Sequence, residues 1–265
     1  MSVSLTILGC GSSAGVPRVA QGWGACDPTN PRNARRRCSL LVERKGPQGS
    51  TVALVDTSPD LRAQLIEADV GHIDGVLITH EHADHTHGID DLRPIYLATR
   101  RRLDIYADAP TSKALRAKFG YVFETPPGSA YPPIANERRV TPGETIVIEG
   151  AGGPIEAVAF EITHGDISAL GFRFGSVAYT PDLNGVPAHS LRWLEGLDLW
   201  IVDALRYTPH PSHWSLAETL DWIARLRPRR AVLTNLHTDL DYEALRRRLP
   251  EGVEPAYDGL RLKGF

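Results

Sequence analysis

The chain reads as an α/β fold in which two packed sheets carry helices on their outer faces, and three observations predict it. Short β-rich runs fall into two strand-rich halves, helical segments lie between several of them, and polar clusters repeatedly stand where an apolar run ends. At 265 residues and 42% hydrophobic content the chain can bury a sizeable core, enough for one large α/β domain or two small ones. No stretch looks like a linker, so residues 1–265 are read as one domain.

In chain order, strands are expected at 3–8, 38–43, 51–56 and 76–79. Between the last two, 59–68 carries Leu61, Leu65 and Ile66 at helical spacing, with Ser58 as a capping residue. A second set of strands is expected at 103–106, 144–148, 156–163, 169–174, 176–180, 199–203 and 231–234, with helices at 111–119, 215–226 and 241–249. The segment 125–136 holds four prolines and a glycine and is expected to be an exposed loop.

Composition excludes several classes of function. A formal net charge of -3 gives no global attraction to nucleic acid, and the arginine runs at 35–37, 100–102 and 246–248 read as solvated faces. The first residues lack the charged and apolar regions of a secretory signal, and no segment approaches the roughly 18 apolar residues of a membrane span. Three cysteines, an odd number, argue against a disulfide framework and for a reducing cytoplasm.

The chemistry is concentrated at residues 79–88, Thr-His-Glu-His-Ala-Asp-His-Thr-His-Gly, directly after the apolar run Gly75-Val76-Leu77-Ile78. Four of the ten histidines fall within eight positions here, which chance accounts for poorly. His80 and His82 alternate along extended backbone and can face one metal, while Asp84 and His85 follow a turn and can face a second. The protease motif His-Glu-x-x-His fails because Asp84 stands where its second histidine belongs, and the run is expected to be non-helical. Three later apolar runs also end in polar residues, at His164, Asp182 and His237.

The pattern His80-x-His82-x-Asp84-His85 resembles the signature of the metallo-β-lactamase superfamily, whose four-layer αβ/βα sandwich holds its metals at one edge between the sheets. The resemblance implies two divalent transition-metal ions, zinc or manganese before iron: one on His80, His82 and His164, the other on Asp84, His85 and His237, with Asp182 bridging. His237 departs from the family, where the last strand ends Thr-His; here Thr234 is followed by Asn235. It is preferred because imidazole is a better metal ligand than a neutral amide. Asp56 and Asp203, at strand ends, read either as acceptors for the N–H groups of ligand histidines or as helix-cap or turn aspartates.

The glycine loop Gly9-Cys10-Gly11-Ser12-Ser13-Ala14-Gly15 reads as a tight turn or an anion cradle. With the runs 27–33 and 87–93 it resembles the PhnP-like enzymes, phosphoribosyl 1,2-cyclic phosphate phosphodiesterases, over nearly the whole chain. That resemblance implies hydrolysis of a small cyclic phosphate or nucleotide-like diester, with Asp84 in the catalytic centre and His213 as general acid; His210 is the fallback. No long insertion could serve as an RNA-gripping arm, so no long nucleic acid is expected as partner, nor a membrane, and a homodimer is left open. The family's Cys-x-Cys-x-x-Cys zinc cluster is missing, since 21–26 retains only Cys26. The rival readings are a thioesterase or lactonase on the same metals, and a metal-binding module without catalysis.

Overall fold

The computed structural model describes residues 3–265. The first sheet is built by β1 (Val3–Gly9), β2 (Ser39–Gly46), β3 (Gly49–Val55), β4 (Gly75–Leu77), β5 (Leu103–Ala107) and β6 (Ala135–Arg139). The second contains β7 (Thr145–Ile148), β8 (Ile155–His164), β9 (Ile167–Phe174), β10 (Val177–Thr180), β11 (Leu199–Asp203), β12 (Arg230–Thr234) and β13 (Val253–Pro255). β14 (Arg261–Lys263) returns to the first sheet and pairs antiparallel with β1. The strand orders are 14-1-2-3-4-5-6 and 13-12-11-10-9-8-7.

Period-2 alternation sorts each strand between two cores. In β11, Leu199 and Ile201 join Leu5, Leu40, Val55, Phe172 and Tyr179 in the core between the sheets. Trp200 and Val202 point the other way, to a core that includes Leu216 and Ile223 of α5 (Leu216–Leu226) and Leu245 of α6 (Tyr242–Arg246). On the far side, Leu54, Val76 and Ile105 meet residues of α1 (Leu61–Glu67), α3 (Arg93–Thr99) and α4 (Ala109–Phe123). The layers are therefore helix, sheet, sheet, helix, the expected αβ/βα sandwich. None of the described helices is long and apolar enough to cross a membrane.

The metal motif differs from its expected conformation. Asp84 and His85 do not follow a simple turn; they lie in a single helical turn, α2 (Ala83–Thr86), with His82 at its N-cap. Local pattern could not reveal so short a helix, because one turn has no apolar period of its own. The expected loop at 125–136 also runs two residues too far. β6 begins at Ala135, where the chain pairs parallel with β5. The last helix stops at Arg246, short of the expected 249. α3, β6, β13 and β14 were not expected; β13 and β14 are three residues each and acquire identity only from their partners.

Parallel pairing of β3, β4 and β5, and of β10, β11 and β12, puts their C-terminal ends along one edge of each sheet. Antiparallel β9 turns β8 into the same direction as β10, so His164 ends at that edge too. The glycine loop after β1 lies here and is a structural turn. Its Gly11 and Ser12 N–H groups donate to the carbonyls of Arg36 (2.7 Å) and Leu236 (3.3 Å), not outward to an anion. A Cβ on Gly11 would stand 2.9 Å from Arg35 Cβ, so glycine is required by close approach.

Asp241 ties the C-terminal helix to the 27–33 segment. One oxygen caps α6 through Ala244 N–H (2.9 Å), and the other accepts Asp27 N–H (3.1 Å) and Asn33 Nδ2 (2.6 Å). Burial pushes this carboxyl up, but those donors outweigh it and leave the pKa below its usual value. A depressed carboxylate stabilises the fold above its unfolded pKa, and the gain is lost as pH falls through the folded one. Asp241→Ala should lower stability by about 1–2 kcal/mol at pH 7. In chemical denaturation the gap between variant and parent should narrow below about pH 4; a pH-independent gap would show that the carboxylate charge is not involved.

Candidate metal centre

The centre is assembled around Asp56, which follows β3 with φ of 64° and is fully buried. Its carboxylate accepts Thr79 N–H at 2.8 Å and the Thr79 hydroxyl at 2.9 Å, and its Oδ2 lies 2.7 Å from His85 Nδ1. Thr79 Oγ1 is in turn 2.9 Å from His80 Nδ1. With their Nδ1 atoms so engaged, both imidazoles turn Nε2 toward the sheet edge. Thr79 was not singled out from sequence, although it opens the motif.

His164 reaches the same space from the second sheet. Its Nδ1 donates to the Ser212 carbonyl (2.8 Å), leaving Nε2 3.2 Å from His82 Nδ1. Asp182, just after β10, sends Oδ1 to 3.4 Å from His85 Nε2. Its Oδ2 stands 3.9 Å from His80 Nε2 and 3.8 Å from His164 Nε2. Asp84 Oδ2 is 3.5 Å from His85 Nε2. Ligands bound at about 2.0–2.1 Å around one tetrahedral ion stand roughly 3.4 Å from each other, so these spacings suit donors sharing a cation better than donors bonded together.

Orphaned atoms make the same point. His80 Nε2, His85 Nε2 and Asp182 Oδ1 are buried and make no hydrogen bond. Leaving even one such group unsatisfied costs about 1–3 kcal/mol. Three convergent sets, His80–His82–His164, His80–His85–Asp182 and His164–Asp182–His213, each keep their donor atoms within 4.8 Å. Burial and the neighbouring His85 hold His80 well below the usual imidazole range, in the neutral form that binds a cation. His85 is driven up instead, because Asp182, Asp56 and Asp84 outweigh its burial. The residues present therefore fit divalent ions with imidazole and carboxylate ligands.

His213 and His237 behave differently. His213 Nδ1 is 2.7 Å from Asp203 Oδ2. Asn235 Nδ2 donates to Asp203 Oδ1 (3.2 Å) and Leu183 N–H to Oδ2 (3.1 Å). Burial pushes Asp203 up to about 7, while that carboxylate pushes His213 up to about 9 despite its own burial. The two groups titrate as a pair, joined by the hydrogen bond between His213 Nδ1 and Asp203 Oδ2. His237 is not brought into any convergent set; its Nδ1 engages Asp239 at 2.8 Å. The strand-end position after β12 is held by Asn235, whose φ of 60° turns its amide toward Asp203. Ser212 acts through its carbonyl, which no residue-type signal marks.

Comparison with known proteins bears on the family and the fold. The family described as "Beta-lactamase superfamily domain" matches residues 51–235. A diphosphatase from the PhnP family is 34% identical in its crystal structure, with a TM-score of 0.89, over 100% of this chain and 98% of that one. Zinc-bound PqqB from Methylobacterium extorquens, 19% identical, shares the fold with a TM-score of 0.72 over 98% of this chain and 99% of its own. The octanoyltransferase of Porphyromonas gingivalis (strain ATCC BAA-308 / W83) is 33% identical over 96% of this chain. The chain spans only 50% of that protein's length, so the name describes a longer molecule.

The geometry generates a metal-content test. His85→Ala and Asp182→Asn should each lose bound zinc or manganese, measured by elemental analysis after purification without chelator. His237→Ala should keep it, because its ring lies outside the convergent sets. Loss of one equivalent in His237→Ala would mean that the 235–240 loop turns inward when metal binds.

Proposed function

The chain belongs to the beta-lactamase superfamily and is PhnP-like, and from that premise we propose that it is a two-metal phosphodiesterase acting on a small cyclic phosphate or nucleotide-like diester. As a member of this family it is a metal-dependent hydrolase. The observation that carries the finer reading is the convergence of orphaned His80, His85 and Asp182 atoms on the space facing His213, whose Nδ1 is tethered to a buried carboxylate. In this proposal His80, His82 and His164 would hold one ion and Asp84 and His85 the other, with the Asp182 carboxylate within 3.4–3.9 Å of His80, His85 and His164 and so available to both. Divalent ions there would polarise the phosphoryl oxygens and make a water acidic enough to attack near neutral pH.

The chain's own residues supply orientation and the proton. Asp56 and the Ser212 carbonyl fix the ring orientations of His85 and His164, so their free nitrogens need no reorganisation. Asp203, anchored by Asn235 and Leu183 N–H, holds His213 with its proton available from Nε2. An alkoxide is a poor leaving group, and a positioned imidazolium can protonate it as it departs.

Two other readings meet specific observations. Acyl transfer through a cysteine is disfavoured because Cys10, Cys26 and Cys38 are all buried and burial raises each thiol pKa, leaving no ready thiolate. His213 also has the geometry of a metal ligand, with one nitrogen on a carboxylate and membership of a convergent set. We favour the acid role, and one variant separates the two.

In His213→Ala, hydrolysis of an alkyl diester should fall about 10²- to 10⁴-fold, while a nitrophenolate diester, whose departure needs little protonation, suffers much less. Metal content should stay unchanged; losing one equivalent makes His213 a ligand. A panel of diesters, diphosphates, monoesters, lactones and thioesters tests the bond type. Faster turnover of thioesters or lactones than of any phosphoester would refute the proposal.

A further inference from the structure

Where the second sheet meets the loop that carries His213, one side chain bridges two segments that the chemistry above uses together. Pro209 and Pro211 in that loop have no N–H, so those positions can be tied only through their carbonyls. Arg206 holds two carbonyls from within the loop itself, Thr208 O at 3.1 Å and Pro209 O at 2.7 Å. The ties to the second sheet come later. Ser212 O accepts His164 Nδ1–H at 2.8 Å, and Pro211 O accepts Asn184 Nδ2–H at 2.7 Å.

The other end of the Asn184 amide holds the turn after His164. Its Oδ1 accepts Gly165 N–H at 3.0 Å. The two contacts fix the amide orientation, since the reverse assignment would set N–H against N–H and carbonyl against carbonyl. They span 19 and 27 positions of sequence, so they are not the bonds of a local turn. Backbone pairing anchors the bridge. Asn184 N–H donates to Thr163 O (2.8 Å), Thr163 N–H to Gly185 O (3.0 Å) and Trp214 N–H to Leu183 O (2.8 Å). Close packing completes it: Gly165 has φ of 60°, and a Cβ there would stand 2.8 Å from Ser212 Cβ, so turn and loop are in direct contact.

His164 and His213 therefore depend on each other's segments. The Ser212 carbonyl orients His164, whose ring lies 4.6 Å from that of His213. A shift of the loop would move that carbonyl and His213 together. We propose that Asn184 is a positioning residue that clamps the 211–213 segment to the His164 turn, so that the acid and a metal ligand keep one fixed spacing. This inference rests on the acid role of His213 and names the side chain that sets its placement. An amide suits the task because it offers a donor and an acceptor at once, which neither alanine nor an ionised aspartate does.

The test uses Asn184→Ala and the isosteric Asn184→Asp on the metal-loaded enzyme; the second keeps the acceptor for Gly165 N–H and loses the donor to Pro211. Hydrogen exchange followed by mass spectrometry should speed up across residues 206–216 in both variants. With metal saturating, kcat for an alkyl diester should fall about tenfold at nearly constant KM, while a nitrophenolate diester, which needs little protonation, loses about twofold or less. In competition with a chelator, one ion should be held about tenfold more weakly, the lower end of the effect of disturbing a group that orients a ligand histidine. Thermal melting should show the variants folded, and if Asn184→Ala does not fold, Asn184→Asp decides. Equal losses on the two esters, or unchanged exchange across the loop, would overturn the proposal. If the parent hydrolyses neither ester, or His213→Ala does not discriminate between them, the acid reading fails, and exchange and metal affinity decide the clamp alone. Changes in both support it; either one unchanged refutes it.

Discussion

The Asp56 carboxylate is the constraint on which the rest of the centre depends. It is fully buried, and burial of a charge is tolerable only when donors surround it. Thr79 supplies a backbone N–H and a hydroxyl, and His85 supplies its ring nitrogen. Satisfying one acid in this way fixes the end of β3 against the start of the histidine run. It also decides which nitrogens of His80 and His85 remain free to face Asp182. Removing one partner would leave a buried charge without compensation, which is why the arrangement is all-or-none in character.

A second carboxylate plays the matching part on the opposite sheet. Asp203 ends β11 as Asp56 follows β3, and it orients His213 as Asp56 orients His85. The backbone pays locally for both arrangements. Asp56 and Asn235 occupy positive φ, at 64° and 60°, a region that costs a non-glycine residue of order 1 kcal/mol or more. Both residues turn polar side chains inward from strand ends. Strain, buried charge and orphaned ligand atoms therefore coincide at one edge of the sandwich, where an otherwise consistent fold departs from local preference.

Much of this was legible from residue pattern. The seven strands of the second sheet were expected except β13, because their apolar runs are long enough for a period to show. Strands of three residues are not readable this way: β14 exists through its pairing with β1, some 255 positions earlier in the chain. The single turn α2 was misjudged for the same reason, since its conformation follows from packing and from contacts such as Thr86 Oγ1 on the His82 carbonyl (2.8 Å), not from propensity. At the site, residues whose type announces metal chemistry stood out. Thr79 and the Ser212 carbonyl did not, because a hydroxyl or a carbonyl has no distinctive pattern until its partner is in view.

The sequence by itself determined the α/β class, the family signature and the order in which His80, His82, Asp84, His85, His164 and Asp182 follow apolar strands. Those features are local, since each needs only a strand and the residue after it. Tertiary structure alone decided which nitrogens face inward, that Asn235 and not His237 meets Asp203, and that His213 comes within reach of His164 and Asp182. The reason is geometric. A ligand set is a statement about distances of a few ångströms between residues as much as 102 positions apart, from His80 to Asp182, and only the packing of two sheets against each other sets those distances.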